Sequence, residues 1–109
     1  NDTVSIVNSD LEYELIIIEP GYNSWLETRA KPRGYYGQSY LESQNKQYVA
    51  AWNNRVIQPS NNSLGLYESQ IYYNPSVDYG YEVNYKLYNY FIYFQLTYKQ
   101  QLTSNLPRN

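Results

Sequence analysis

DYGYEVNYKLYNYFIYFQLTYKQQL, residues 78–102, is the stretch whose reading decides the fold. On a helical projection Val83, Leu87, Phe91, Phe94 and Tyr98 form one stripe, and Tyr85, Tyr88 and Ile92 form a second beside it. Glu82, Lys86, Asn89 and Gln100 are left for a polar side. More than half of such a helix is apolar or aromatic, so it is expected between two layers, a sheet and another helix, or with one flank left for a partner.

Upstream, residues 40–57 supply the second helix. Leu41, Tyr48, Val49, Trp52 and Val56 recur at helical spacing, and Glu42 with Lys46 makes an outward i, i+4 pair. Ser39 and Glu42 have the S-x-x-E spacing of a capping box, which predicts a helix start at Ser39. Pro59 ends the helix and residues 60–63 read as a polar surface loop.

The N-terminal third reads as strands. Residues 4–7 and 11–18 flank Asn8, Ser9 and Asp10, which carry turn chemistry, so a hairpin is expected. Alternation puts Leu11, Tyr13, Leu15 and Ile17 on one face and Glu12, Glu14, Ile16 and Ile18 on the other, a strand that starts half exposed and ends covered on both faces. Pro20 and Gly21 stop it, and Asn23 or Ser24 could cap a short helical turn through Trp25 and Leu26. Residues 66–73 read as a third strand. The fold class is therefore α+β, a small antiparallel sheet of about three strands packed with two long helices. The division is residues 1–10 as extension and first strand, 11–103 as a single domain, and 104–109 as a tail; a chain of 109 residues has room for one core.

Composition removes most chemistry. The chain has no cysteine, histidine or methionine among its 109 residues, so thiol nucleophiles, imidazole bases, disulfides and zinc sites are excluded, and neither a metal nor a cofactor is expected. A net charge of −2 gives no field for collecting polyanions, so no nucleic-acid partner is expected. No run of about 18 apolar residues suggests a membrane span, and no stretch at the start reads as a signal peptide, which fits a cytosolic chain or an already processed one. At 42% hydrophobic and 17% charged residues the chain should fold as a soluble domain.

The candidate sites are few. Arg29, Lys31 and Arg33, flanked by Tyr35 and Tyr36, combine guanidinium and aromatic groups on a loop stiffened by Pro32 and Gly34, a mixture that binds phosphate, carboxylate or stacked rings. The plainer reading is a solvated loop whose arginines pair with Glu19 or Glu27. Loop tyrosines Tyr22, Tyr35, Tyr36 and Tyr79 could form a sugar-stacking platform. Asp10, Glu12 and Glu14 share a strand face and could offer oxygens to calcium, but without the spacing of a calcium loop a solvated strand edge is the simpler account. Glu19, at a strand end, is the best single carboxylate for glycosidase chemistry, with no nameable partner.

The blocks EPG, SWL, PRGYY, SYLE, WN, YGYEVNY and NYFIYFQL, spread over residues 11–102, resemble a family of small Bacteroidota envelope proteins with a domain of unknown function. The resemblance implies an exported protein, in the periplasm or at the outer membrane or cell surface, commonly a lipoprotein whose lipid-bearing cysteine precedes the folded domain. Membrane association would then run only through that upstream anchor. In this light Asp2, Thr3 and Val4 are similar to a short O-glycosylation pattern with Thr3 as acceptor, although a Thr3 that merely begins a strand is the simpler account.

The expected function is a non-catalytic interaction module, a subunit of an outer-membrane or periplasmic assembly with an envelope protein as partner. It would use the last helix and the residue 29–36 loop. The alternative is a small-ligand or glycan-binding domain using loop tyrosines, with an enzyme built on Glu19 ranked last.

Overall fold

The computed structural model describes residues 4–9, 12–58 and 65–108. Thr3, Asp10, Pro59 and the loop at 60–63 lie outside the described residues, so the glycosylation reading and the Asp10 part of the calcium reading do too. The order is β1 (Val4–Ser9), β2 (Glu12–Ile17), α1 (Tyr22–Thr28), α2 (Gln38–Val56) and α3 (Gly80–Tyr98). The fold is α+β, with an antiparallel two-stranded sheet and three helices among the described residues.

α3 is the centre of the molecule and packs against α2, β2 and α1. Burial runs from Val83 to Gln95 with only Lys86 breaking it. That continuity requires the three amides of this stretch to be satisfied without water. Each does so by reaching back one turn: Asn84 Nδ2 donates to Gly80 O at 2.8 Å, Asn89 Nδ2 to Tyr85 O at 2.9 Å, and Gln95 Nε2 to Phe91 O at 3.0 Å. Asn89, expected on the polar side, is therefore buried. The helix also stops earlier than its pattern suggests. Lys99 turns into the left-handed region (φ 54°), and the amides of Lys99 and Gln100 both donate to Gln95 O, which places Gln100 beyond the helix.

α2 lays Leu41, Asn45, Tyr48, Val49 and Trp52 against α3. Trp52 meets Phe94 at 4.7 Å between centroids and Tyr67 at 4.9 Å, both edge-on, the arrangement favoured by the ring quadrupole. The expected capping box does not form. α2 begins at Gln38 after Gly37 with no side-chain cap, Ser39 falls inside the first turn, and Glu42 accepts from Gln38 Nε2 at 3.1 Å. Among the described residues the ion pairs are Arg33 with Glu82 and Lys86 with Glu82, so the expected Glu42–Lys46 pair is not made. Gln38 Nε2 also reaches Asp78 Oδ1 at 2.8 Å, and the Gly80 amide donates to the same oxygen. One carboxylate thus sits at the starts of both long helices, where it complements their dipoles.

The hairpin forms with the expected faces. Val4 pairs with Ile17, Ile6 with Leu15 and Asn8 with Tyr13 on the inner side, and Ser5 with Ile16 and Val7 with Glu14 on the outer. The end of β2 is not covered twice, however: Ile16 is 40% exposed and Ile18 67%. Among the described residues no further layer packs outside the two-stranded sheet, which leaves these outer-face side chains exposed. α1 starts after Gly21, whose φ of 89° makes the turn and whose missing Cβ would lie 3.2 Å from the Tyr93 hydroxyl; neither Asn23 nor Ser24 is its cap.

Residues 66–73 do not join the sheet. Side chains of α2 take the place of a neighbouring strand. Asn53 Oδ1 accepts from Ile71 N at 2.7 Å while Asn53 Nδ2 donates to Ile71 O at 2.9 Å, and Trp52 Nε1 donates to Ser69 O at 3.0 Å. An amide side chain offers one acceptor and one donor side by side, as a strand residue does, so the segment is satisfied one residue at a time.

Candidate functional site

The basic loop is fastened to α3. Arg33 makes a bidentate pair with Glu82, Nε to Oε1 at 2.8 Å and Nη2 to Oε2 at 2.6 Å, and its guanidinium lies 4.6 Å from the Tyr85 ring centroid. Its partner is thus neither Glu19 nor Glu27. The guanidinium holds the Glu82 carboxyl below its ordinary range, chiefly through the hydrogen bonds it donates. One turn apart on α3, the Tyr81 hydroxyl accepts from Gly34 N at 2.7 Å and donates to Tyr36 O at 2.8 Å, and the Tyr85 hydroxyl donates to Lys31 O at 2.6 Å. Arg29 is exposed, and Lys31 lies with its Nζ 5.5 Å from the Tyr35 ring centroid. The consequence of all these bonds is a fixed position for Tyr36.

Tyr36 forms one edge of a groove of about 460 Å³. α2 contributes Tyr40, Gln44 and Tyr48, spaced four residues apart on one stripe; α3 contributes Tyr88 and Ile92; the segment after α3 contributes Ser104, Asn105, Leu106 and Arg108. The floor is rigid, since Tyr48, Tyr88 and Ile92 are all buried. The rim is exposed. Tyr36 and Tyr40 stack at 4.6 Å with 17° between their planes, Tyr88 stands edge-on to both, and Tyr40 remains 43% exposed. Burial raises the phenol pKa of Tyr36, Tyr48 and Tyr88, for Tyr88 with the neighbouring Tyr40 and Tyr36 adding to it.

The wall formed by residues 104–108 is anchored just before it begins. The Leu102 amide donates to Gln95 Oε1 at 2.8 Å, Leu102 itself is buried, and Arg55 Nη2 donates to Gln101 O at 2.6 Å. Gln95 therefore ties its own helix, through Nε2, to this segment, through Oε1.

The four loop tyrosines do not come together. Tyr22 is core, its hydroxyl donating to Lys86 O at 2.6 Å. Tyr79 stacks on Tyr73 and meets Tyr13 edge-on. Tyr35 is 59% exposed and edge-on to Tyr36, so of the four only these two are neighbours. Sequence reasoning missed Tyr40, Gln44, Tyr48, Tyr88 and Arg108 as a group. The i, i+4, i+8 recurrence of Tyr40, Gln44 and Tyr48, beside the core stripe of the same helix, was the available signal.

Two other clusters were anticipated. Glu19 Oε1 accepts from the Tyr98 hydroxyl at 2.6 Å, a bond that pushes that phenol up to about 12. Glu19 also lines a small cavity of about 140 Å³ with Glu68, Tyr90 and Phe94, which places a second carboxylate near it. That volume is well under the roughly 300 Å³ at which ligand clefts begin. Glu12 and Glu14 are exposed, and no cluster of three metal-ligating side chains exists among the described residues.

Fold and groove together define a small α+β domain with a tyrosine-lined cleft. The chain belongs to the family of unknown function DUF6146, whose model matches residues 3–107. No curated protein and no solved structure matches it.

Proposed function

We propose that this protein is a non-catalytic ligand-binding module that takes a saccharide in the tyrosine groove. The observation that carries the reading is the groove itself: about 460 Å³, with an aromatic floor, an exposed tyrosine on the rim and Gln44, Ser104 and Asn105 as hydrogen-bonding groups. Small-molecule sites run from roughly 300 to 1,000 Å³ and pair apolar walls with a few polar groups, a range that includes this groove. Tyrosine rings offer a sugar both an apolar face and a hydroxyl. The resemblance to Bacteroidota envelope proteins supports an extracytoplasmic placement, where glycans are met, with any membrane attachment through a lipid anchor upstream.

The test is a screen of soluble envelope oligosaccharides by calorimetry on the intact chain and on Tyr40→Ala. Saturable binding that falls by at least about tenfold, or about 1.4 kcal/mol, in the variant is expected. A clean negative across the panel, or binding indifferent to Tyr40, would remove the reading.

The accessory-subunit reading is favoured by a different observation, the exposed Ile16 and Ile18 on the outer face of the hairpin. It requires a stoichiometric envelope partner that co-purifies with the wild type and with Tyr40→Ala but is lost from Ile16→Lys/Ile18→Lys. Retention of the partner by the double variant would exclude that face.

A further inference from the structure

We infer that the groove selects acidic saccharides, with Arg108 as the residue that recognises a sugar carboxylate. This inference rests on the saccharide reading of the groove and adds the class of sugar.

Charge carries the argument. The chain is acidic overall, net −2, yet among the described residues no aspartate or glutamate lines the groove, and the one ionic side chain there is Arg108. Two of the other three arginines are consumed within the fold, and the third, Arg29, is exposed and lies outside the groove. Arg33 is paired with Glu82, and Arg55 donates to the Tyr67 hydroxyl and to Gln101 O. Arg108 is exposed, takes part in neither of the ion pairs found among the described residues, and stands on the groove wall that Gln95 anchors. A guanidinium offers two parallel N–H donors that match a carboxylate, while the stacked pair Tyr36 and Tyr40 presents a ring surface beside it. An aromatic surface, neutral donors and a single guanidinium complement a sugar ring bearing one carboxylate, for example a uronic acid.

The experiment is calorimetric titration of the full chain with tetragalacturonate and, in parallel, with neutral maltotetraose of the same length. The acidic tetramer is expected to bind at least about tenfold more tightly at low ionic strength, with a preference that shrinks as salt screens the pair. Arg108→Gln should erase the preference and leave the weaker affinity for the neutral sugar in place, whereas Arg29→Gln, a change to an exposed arginine outside the groove, should leave the preference intact. Equal binding of both tetramers, a preference that survives Arg108→Gln, or an equal loss in Arg29→Gln overturns the inference while leaving the groove a saccharide site. Failure of both tetramers to bind at any concentration overturns the inference and counts against the saccharide reading as well.

Discussion

Asn53 does the work that a third strand was expected to do. Its amide closes both backbone groups of Ile71, and the sequence around residues 66–73 shows only extended, aromatic-rich character, which fits a strand or an extended segment held from the side equally well. Nothing in the pattern of one chain segment says which groups will satisfy it. Replacing Asn53 by Ala should leave Ile71 N–H and C=O part-buried without partners, at a cost of about 1 to 3 kcal/mol in urea unfolding. A change within experimental error would mean that solvent already satisfies that backbone. Glu82 gives a second residue-scale expectation. Its folded pKa is depressed below the ordinary 4.5 by Arg33, so its contribution is fully present above that value and is lost as pH falls through the lower folded value. Both side chains are about half exposed, at 50% and 53%, so screening limits the pair to under about 1 kcal/mol. The stability gap between wild type and Glu82→Gln should therefore be small at neutral pH and vanish in acid; a gap that grows on acidification would contradict this pairing.

At the scale of elements, periodicity was a good guide and terminal chemistry was not. The core stripes of α2 and α3 follow from helical spacing because burial against a neighbour is what spacing encodes. Helix ends depend on backbone detail that composition does not carry. Ser39 had the right spacing to Glu42, but the chain enters α2 two residues earlier, from extended Gly37, and Gln38 engages both Glu42 and Asp78 instead. Ser39→Ala should accordingly change stability by less than about 0.5 kcal/mol, where loss of a working cap would cost about 0.5 to 2. A larger loss in a denaturant titration would restore the capping box. The basic loop shows the same division. Its composition marked residues 29–36 as chemically distinct, but only the fold reveals that Arg33, Tyr81 and Tyr85 spend their polar groups on holding that loop, and with it Tyr36, in place.

For the molecule as a whole, the 16 tyrosines set both the core and the response to pH. Burial raises the phenol pKa of Tyr22, Tyr88 and Tyr90, and raises Tyr73 to about 12. Above pH 10 the unfolded chain releases phenolic protons that the folded chain keeps, so the unfolded state binds fewer protons and stability falls as pH rises toward 12. Alkaline unfolding followed by circular dichroism and the absorbance of tyrosinate should thus occur together, cooperatively, above the ordinary tyrosine pKa. Full tyrosinate formation with the fold intact would show that these rings are not buried. The groove belongs to this scale because four parts of the chain build it: the loop before α2, the two long helices and the segment after α3. Sequence order keeps those parts distant, which is why Tyr36 was legible as a site residue and Tyr40, Tyr88 and Arg108 were not. The most direct test of the groove as a saccharide site is a titration of tyrosine-ring-labelled protein with tetragalacturonate and with maltotetraose, followed in carbon–proton correlation spectra. The expected result is saturable shifts confined to Tyr36, Tyr40, Tyr48 and Tyr88; the absence of saturable shifts with both tetramers, or shifts centred on Tyr13, Tyr72 and Tyr79, would contradict it.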